Sequence, residues 1–471
     1  MTILPHNLFS HYIQQCISQT LSQVNKVMDV TNHQFTIRNY ADSIETIASL
    51  TQESARTMLV ESLELMDRSF LNSDYRKSYY YVKVTRKRTL ITMFGTITYT
   101  RTIYQSKLDG SIFTYVDRKL GLPKYDRYDP TIKAKVIELY ADHNSMIKVG
   151  EIVGEQIYSL FSTKKERKNF NLSRQTVQNI VKKSLLIQHP IPPSTTTPDV
   201  LYVMADEKFI PLQNSNKKSV FVRHGVIFEG IQCLNNNRYQ LTNRWVYSDL
   251  TSSFWSTMDD LLYKKYDMDK VKVVYVMGDG AKWIKKGAMI IPNGQSMLDK
   301  FHAFQAIQHI SKDIHLQGAL KVCIFQNDKR MFKKIIAYCL DFHQDDFSKV
   351  ETIQTKSKYL LNNWKSLQRT ITITNPGCSM EAQISHNIAA TFTSRPKAYA
   401  SQHLQHYLQY RDLHNNGIDL LNLYLDTLHY TPTDKALDIF QESHDYSIFE
   451  PRHRYDKSSN SDWMKGFIAK N

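Results

Sequence analysis

A short apolar run that ends in a carboxylate between two glycines is the strongest pattern in the chain. Val271–Val276 is continuous and rich in β-branched residues, which predicts a buried strand. The glycines on either side of Asp279 predict a tight turn at the rim of a sheet, where ligand sites form in α/β proteins. A second apolar run, Ala288–Leu298, ends in Asp299. Two neighbouring acidic strand ends predict a site for a hard cation, because Mg²⁺ prefers carboxylate oxygens. Alternatively, Asp279 only caps the following helix.

Alternation of apolar and polar residues predicts further strands before this run. Leu201–Ile210 reads as a strand with Asp206 and Glu207 in its middle. Because successive side chains of a strand point to opposite faces, at most one of these two acids points into a site. Three segments follow in order: strands around Val220–Phe228 and Trp245–Tyr247, and a helix over Phe254–Tyr266. Strands, a helix and a further strand in this order predict a mixed α/β fold.

The amino-terminal part of the chain has other periods. Residues 1–80 have apolar positions near helical spacing, which predicts a helical region for packing or assembly. Residues 81–128 alternate apolar residues with Thr and Tyr around Gly95, which predicts a small sheet with a bend. Several basic residues lie along that sheet: Lys83, Arg86, Lys87, Arg88 and Arg101. They suit either a phosphate backbone or an ordinary solvated face.

Residues 129–187 predict three helices. Ser173 is placed to cap the last of them, whose first turn exposes Arg174, Gln175 and Thr176. Side chains at the amino end of the third helix suit contacts with base edges in a major groove, which predicts a helix-turn-helix-like DNA-binding element. A plain helical bundle is the alternative, because the connection before Ser173 is longer than the usual turn.

The rest of the chain is divided by two breaks. A stretch rich in Pro and Thr at 188–200 predicts a linker. Residues 303–374 are helical and basic, and they predict an all-α insertion. Four of their basic residues form a cluster: Lys329, Arg330, Lys333 and Lys334. This cluster suits a DNA contact or a solvated helix face. After an Asn-Pro-Gly break, a predicted helix carries Glu381, and the residues from 431 onwards form a polar tail.

Charge narrows the class of partner. The chain of 471 residues carries 60 Lys and Arg against 45 Asp and Glu, a formal net charge of +15. This excess favours nucleic acid, with a general solubility charge as the alternative. No apolar run approaches the ~18–20 residues of a membrane span, and the first residues lack a signal-peptide pattern. The five scattered cysteines form neither a zinc pattern nor a disulfide framework, so we expect a protein of the reducing cytoplasm.

Four segments carry a resemblance to a known family: ADEKF at 205–209, GDGAKWIKKG at 278–287, LDKFHA at 298–303 and SMEAQISHNIAATFTSRPKAYA at 379–400. They resemble the ISLre-two group of bacterial insertion-sequence transposases, and the similarity extends over nearly the whole chain. GDGAKWI followed by LDKFH is its most specific part. That group is similar to the Mutator-type branch of DDE transposases, which implies a ribonuclease H-like catalytic domain interrupted by an all-α insertion. The chain departs from the family at 394–399, where SRPKAY stands in place of a tail that usually reads more like SRPMGW.

The resemblance implies roles for individual residues. Asp206 on the first strand, Asp279 after the fourth strand and Glu381 on a helix after the insertion would be the catalytic, metal-binding acids. Asp299 and His302 match the Asp-x-x-His motif of the branch and would support them. Outside this set, Arg395 could clamp a phosphate, with a structural ion pair as the alternative.

The predicted regions follow in order: a helical region at 1–80, a small β region at 81–128, a helix-turn-helix-like region at 129–187, the linker at 188–200, the first part of the catalytic domain at 201–302, the all-α insertion at 303–374, the second part of the catalytic domain at 375–430 and the tail at 431–471.

The chemistry of the acids agrees with this resemblance. Cutting and rejoining a phosphodiester requires an activated water or 3′-hydroxyl, and two Mg²⁺ (or Mn²⁺) ions provide it when carboxylates hold them. We therefore predict a transposase that binds terminal inverted repeats, cuts DNA and joins the ends to target DNA. A homodimer or larger assembly, associated with the bacterial nucleoid, would pair the two ends. The alternatives are a non-catalytic DNA-binding protein derived from a transposase and a ribonuclease H-like nuclease.

Overall fold

A computed structural model describes residues 37–143, 145–157, 171–184, 191–213, 218–235, 238–393 and 399–427, with a few isolated positions before residue 23. The chain forms two compact units. One comprises Met1–Lys135, Gly150–Leu172 and Leu425–Asn471, and the other comprises Val136–Val149 and Ser173–Tyr424. The regional boundaries drawn from the sequence are finer than these two units and stay predictions.

The first unit contains a three-stranded antiparallel sheet in the order β1-β2-β3. Its elements are α1 (Ile37–Asn72), α2 (Asp74–Tyr79), β1 (Tyr80–Thr92), β2 (Gly95–Ser106), β3 (Ile112–Thr114) and α3 (Tyr115–Lys119). Helix α1 supplies carboxylates to the backbone of β2: the Thr100 N–H donates to Glu64 at 2.7 Å and the Thr102 N–H donates to Asp67 at 2.9 Å. Glu64 and Asp67 therefore accept hydrogen bonds from two N–H groups of β2 that would otherwise need a neighbouring strand as their acceptor.

The second unit is built on a six-stranded mixed sheet. The main strands run in the spatial order β10-β9-β4-β5-β8, and β11 pairs with β4. Their bounds are β4 (Val200–Gln213), β5 (Ser219–Phe228), β8 (Trp245–Asp249), β9 (Val273–Gly278), β10 (Gly294–Leu298) and β11 (Tyr399–Ala400). Strands β9 and β10 are parallel to β4, whereas β5 is antiparallel to both β4 and β8. A separate hairpin joins β6 (Gly230–Asn235) to β7 (Arg238–Thr242).

Helices make up most of the remaining described chain. They are α4 (Pro130–His143), α5 (Met146–Ile157), α6 (Arg174–Lys183), α7 (Phe254–Lys265), α8 (Lys282–Ile290), α9 (Lys300–Ile310), α10 (Ile314–Phe325), α11 (Lys329–Phe342), α12 (Phe347–Asn362), α13 (Trp364–Thr372), α14 (Met380–Gln383), a π-helix (Ile384–Ala389), α15 (Ala390–Phe392), α16 (Ser401–Asn415) and α17 (Leu420–Thr427). The mixed α/β class predicted from the sequence is confirmed by these elements.

Two buried clusters position the second unit's elements. On one face of the sheet, Val203 and Val276 pack with Phe254 and Met258 of α7. Helices α9 to α13 bury a core of their own, which includes Phe332. The helical segment between β10 and the break at 375–377 is therefore held by its own apolar contacts.

The sequence pattern predicts one strand over the apolar run Ala288–Leu298, and this prediction is wrong. Its first residues end helix α8 at Ile290, and β10 begins only at Gly294. Asn293 between them has φ +56°, a left-handed conformation that asparagine tolerates better than most residues. Pro292, Asn293 and Gly294 are turn-forming residues that mark this break, and the interpretation of the segment as one apolar run overlooked them.

Candidate functional site

The pairing of β4, β9 and β10 places three acids, Asp206, Asp279 and Asp299, near one another. We call the end of β9 and β10 where they lie the acidic edge. Met204 of β4 pairs with Met277 of β9, and each is followed two residues later by an acid, Asp206 or Asp279. Since side chains two residues apart in a strand share a face, both acids lie on the face that carries the two methionines. Leu298 of β10 pairs with Gly278, which places Asp299 beside Asp279 at the same edge.

The helix that carries Glu381 packs on this same face. The Ser379 N–H, just before α14, points at the Met204 sulfur at 3.3 Å. Asn387 in the π-helix lies 3.1 Å, Nδ2 to Nε2, from His224. His224 is the β5 residue paired with Asp206, so its side chain shares the Asp206 face. The structure therefore places Asp206, Asp279 and Glu381 on one face of the sheet, beside the carboxyl end of β9, where its pairing with the middle of β4 ends.

The acids influence one another's ionisation. Burial raises the pKa of Asp206, and the nearby charges of Asp279 and Glu381 raise it further, while the Glu207 N–H bond and His302 oppose the rise. A hydrogen bond from His302 Nδ1 to Asp299, 3.0 Å long, raises the pKa of His302. His302 Nε2 lies 4.0 Å from the Glu381 carboxylate. The site therefore concentrates negative charge that His302 only partly offsets.

Backbone donors fix one oxygen of each aspartate. Asp206 Oδ1 accepts from the Glu207 N–H at 2.7 Å, and Asp279 Oδ1 accepts from the Ala281 N–H at 2.8 Å. Asp279 does not cap α8, because the N-cap residue is Ala281 and no side chain caps that helix; the bond to the Ala281 N–H instead closes the turn over Gly280. Within the described residues, Oδ2 of both aspartates is available to a ligand. Asp299 differs, because it caps α9 through Oδ1 and uses Oδ2 to orient His302. Asp299 is therefore placed to support the site rather than to bind an ion.

The donor set suits a hard divalent cation, although the side chains are not drawn together. Carboxylate oxygens are the ligands that Mg²⁺ and Mn²⁺ prefer, and a cation would reduce the repulsion between the half-buried Asp206 and Asp279 and the exposed Glu381. However, within the described part of the chain no three His, Cys, Asp or Glu side chains are close enough to hold an ion as they stand. Glu381 has the most freedom to move, since its side chain is 62% exposed.

Two residues of the helical segment lie against the turn of Asp279, and the sequence analysis predicted a role for neither. The Tyr359 hydroxyl of α12 donates to the Asp279 carbonyl oxygen at 2.6 Å. Gly280 has φ +82°, and a Cβ there would lie 2.7 Å from the Asn363 side chain. The helical segment thus reaches the acidic edge. No local pattern marks the contact between Tyr359 and Asp279, because the two residues are 80 positions apart along the chain.

The predicted DNA-reading helix forms as expected at its start. Ser173 caps α6 by accepting from the Thr176 N–H at 3.2 Å, which confirms the predicted cap. Arg174 and Gln175 are exposed in the first turn, and Thr176 is half-buried. Helices α4 and α5 also form, whereas the connection at 158–170 lies outside the described residues. A role in DNA binding stays a prediction for these side chains.

The structure separates the basic residues of the small sheet into two groups. Arg88 and Arg101 are drawn inward to Asp117, with Arg88 Nη1 at 2.7 Å from Oδ2. Lys83, Arg86 and Lys87 are exposed on the edge strand β1. The buried pair has a structural role, so only the exposed three remain available to a polyanion.

Arg395 falls in 394–398, outside the described residues, so its predicted phosphate contact stays a prediction. None of the helices in the described ranges has both the length and the hydropathy needed to cross a bilayer.

These observations define a mixed α/β protein with an acidic site beside the carboxyl end of β9, where its parallel pairing with β4 ends. The chain belongs to the Uncharacterised protein family (UPF0236), which matches residues 33–426. It is similar to UPF0236 proteins of Caldanaerobacter subterraneus subsp. tengcongensis. One is 28% identical over 393 residues, covering 81% of this chain and 79% of the relative. Another is 27% identical over 416 residues, covering 87% and 85%.

The relatives occur in many copies within that bacterium. The name of one joins four locus labels, and the name of another, 26% identical over 415 residues, joins eleven. The family thus has many paralogues in a single genome.

Proposed function

We propose that this protein is a DDE-type DNA transposase of a bacterial insertion sequence, similar to the ISLre-two group. The observation that carries the proposal is the placement of Asp206, Asp279 and Glu381 on one face of the sheet, near enough for the charges of Asp279 and Glu381 to raise the pKa of Asp206. Acids far apart along the chain have no structural need to converge beside a desolvated partner, since their mutual repulsion costs stability.

The order of elements supports a ribonuclease H-like catalytic domain. Asp206 lies on β4, the first strand of the large sheet, and Asp279 directly follows β9, the fourth strand along the chain. Helices α9 to α13 then intervene before the helix of Glu381. This is the arrangement that the resemblance to Mutator-type transposases implies. The many paralogues in one relative's genome agree with a mobile element.

The acids would hold Mg²⁺ or Mn²⁺, and two such ions about 3.5–4 Å apart supply water activation and leaving-oxygen stabilisation when bound. Asp206 and Asp279 would contribute their free Oδ2 atoms, and Glu381 its exposed carboxylate. Asp299 would hold His302 beside Glu381, where the raised pKa of His302 favours a positive charge near a DNA phosphate. The net charge of +15 favours DNA as the partner. The protein would act as a homodimer or larger assembly, because two element ends are joined.

A strand-transfer assay tests the proposal. Duplex oligonucleotides with the sequences that flank the gene are incubated with the full chain, Mg²⁺ and a target plasmid. We expect 3′-hydroxyl ends joined to the plasmid, and inverted repeats at both flanks. Cleavage without joining would identify a nuclease instead, and specific binding with no cleavage in Mg²⁺ or Mn²⁺ would identify a non-catalytic DNA-binding protein.

Asp206→Asn should raise the melting temperature of the metal-free protein. The folded-state pKa of Asp206 is raised, so the ionised carboxylate destabilises the fold at pH values above its unfolded pKa, and this cost disappears as the pH falls. Thermal unfolding at pH 5 and pH 8 checks the sign, and the gain should be larger at pH 8.

Added Mg²⁺ provides the control for this variant. At 100 times its Kd, an ion that binds only the folded state stabilises by about 2.7 kcal/mol. The wild-type protein should show such an increase and Asp206→Asn should not. An equal response of both proteins to Mg²⁺ would remove Asp206 from the metal site.

Replacing Lys83, Arg86 and Lys87 together with Gln should weaken DNA binding and reduce its salt dependence. If each side chain contacts one phosphate, the slope of log K against log salt should become less steep by about 2.7. Fluorescence anisotropy over a range of KCl concentrations measures this slope. Lys264, Lys270 and Lys272, near the amino end of β9 and thus away from the acidic edge, form the matched triple variant. Equal slopes for the two triple variants would show that β1 does not contact DNA.

A further inference from the structure

A buried chain of polar side chains links the helix of Glu381 to the sheet. Asn387 contacts His224 at 3.1 Å, and His224 Nδ1 lies 2.8 Å from Ser248 Oγ on β8. Ser248 Oγ lies 2.9 Å from Asp412 Oδ1, and the Ser248 N–H donates to Asp412 Oδ2 at 2.5 Å. All four side chains are buried. None of these four residues belongs to the site residues predicted from the sequence.

The direction of each hydrogen bond follows from groups that can only donate or only accept. Arg244 can only donate, and its Nη1 lies 3.3 Å from the side-chain oxygen of Gln383. Asn387 must therefore present its amide N–H₂ to that same oxygen, at 3.2 Å. The same Asn387 nitrogen faces His224, so His224 Nε2 accepts and carries no proton.

The other side of the imidazole completes the assignment. A histidine whose Nε2 accepts is neutral and carries its proton on Nδ1. That proton is donated to Ser248 Oγ, and the Ser248 hydroxyl in turn donates to Asp412 Oδ1. Complete burial raises the pKa of Asp412 to about 7, although its two bonds from Ser248 oppose the rise. Complete burial, which lowers the pKa of His224 to about 3, agrees with a neutral ring. Every buried polar atom along this path then has a partner of the right kind.

The geometry connects this path to the acidic edge at two points. His224 is the strand partner of Asp206, and Asn387 lies six residues after Glu381 on one continuous helical segment. Asn387 is also inside the π-helix Ile384–Ala389, whose wider turn changes the facing of the residues relative to an α-helix. Such turns occur frequently at functional sites.

We propose that Asn387 and His224 are positioning residues, which fix the rotation of the Glu381 helix relative to Asp206 through one directed chain of hydrogen bonds. The role given to Glu381 rests on the proposed function. The neutral Nδ1–H form of His224 and the fixed helix do not, because both are properties of the metal-free protein.

The first test reads the imidazole directly. In protein labelled with ¹⁵N-histidine, we expect a neutral ring at pH 7 with its proton on Nδ1 whose signals are missing from His224→Gln, which assigns them to His224, and Asn387→Asp should move these signals. Aspartate is nearly isosteric with asparagine but replaces the donor with an acceptor, so His224 should gain a proton on Nε2. A His224 ring without a proton on Nδ1 in the wild-type protein, or no change of its signals in Asn387→Asp, would overturn the proposal.

The second test measures hydrogen exchange in the Glu381 helix and the Mg²⁺ dependence of DNA cleavage. Hydrogen exchange of residues 384–392 in metal-free Asn387→Asp should be at least 10-fold faster than in the wild-type protein. The Mg²⁺ concentration for half-maximal cleavage should rise about 10-fold, with the KM for DNA unchanged. Asn362→Asp, an exposed change on α12, should alter neither quantity. Faster exchange with no change in Mg²⁺ dependence would show a merely structural role and reject positioning. If no variant or wild-type protein cleaves DNA, the proposed function fails, while the imidazole and exchange results still decide the hydrogen-bond chain.

Discussion

Asp279→Asn should reduce metal-dependent DNA cleavage by at least about 10³-fold, which corresponds to roughly 4 kcal/mol of lost transition-state stabilisation. The substitution removes the charge of the Oδ2 atom that faces the site. It keeps the Oδ1 acceptor that bonds the Ala281 N–H at 2.8 Å, so the turn after β9 should remain intact. Single-turnover cleavage of an end-sequence oligonucleotide in Mg²⁺ and in Mn²⁺ measures the effect.

DNA affinity and a matched carboxylate provide the controls for this experiment. Binding of Asp279→Asn to the same oligonucleotide should be within about 2-fold of the wild-type protein, because the substitution removes none of the Lys and Arg side chains that would neutralise phosphates. Asp260→Asn removes an exposed carboxylate from α7 and should leave cleavage unchanged. Full cleavage activity in Asp279→Asn would refute the assignment of this acid and, with it, the DDE interpretation.

Asp117→Asn should destabilise the first unit by about 3–5 kcal/mol, the usual cost of removing one partner from a buried ion pair. Asp117 is the buried carboxylate that faces Arg88 and Arg101, and it also accepts from the Tyr99 hydroxyl at 3.1 Å. Without its charge, two buried guanidinium groups remain close together. Urea unfolding, followed by the fluorescence of the tyrosine-rich core, gives the change in the free energy of unfolding.

A surface ion pair in the same unit is the comparison. Asp74 pairs with Lys77 at 2.9 Å, but its side chain is 97% exposed. Exposed pairs contribute roughly 0–1 kcal/mol, so Asp74→Asn should change stability little. A loss in Asp117→Asn no larger than the loss in Asp74→Asn would mean that the two arginines find other partners or solvent.

The sequence predicted the individual acids better than their arrangement. Asp279 stood out because two glycines and a β-branched strand flank it, and the alternation in Leu201–Ile210 correctly separated Asp206 from Glu207 onto opposite faces of β4. Pairing Met204 with Met277 is a matter of register between strands more than 70 residues apart, which periodicity within either strand does not specify. The family resemblance, rather than any local pattern, linked Glu381 to these two acids.

The basic residues of the small sheet illustrate the same limit. Five of them looked alike in the sequence, yet Arg88 and Arg101 turn inward because Asp117 lies in the adjacent short helix α3. Among the residues that the structure describes, no buried acid pairs with Lys83, Arg86 or Lys87, and these three side chains stay exposed on β1. Net charge therefore overstated the surface available to DNA on this sheet.

By itself, the sequence determined the strand that ends at Asp279, the cap at Ser173, the mixed α/β class and the excess of positive charge, since each depends on neighbouring residues or on composition. Only the tertiary structure decided three contacts. Tyr359 supports the Asp279 turn, His224 is the strand partner of Asp206, and Asn387 contacts His224 from the Glu381 helix. Those contacts join residues from separate elements. Packing and strand register determine which side chains come into contact, and local sequence does not specify either of them.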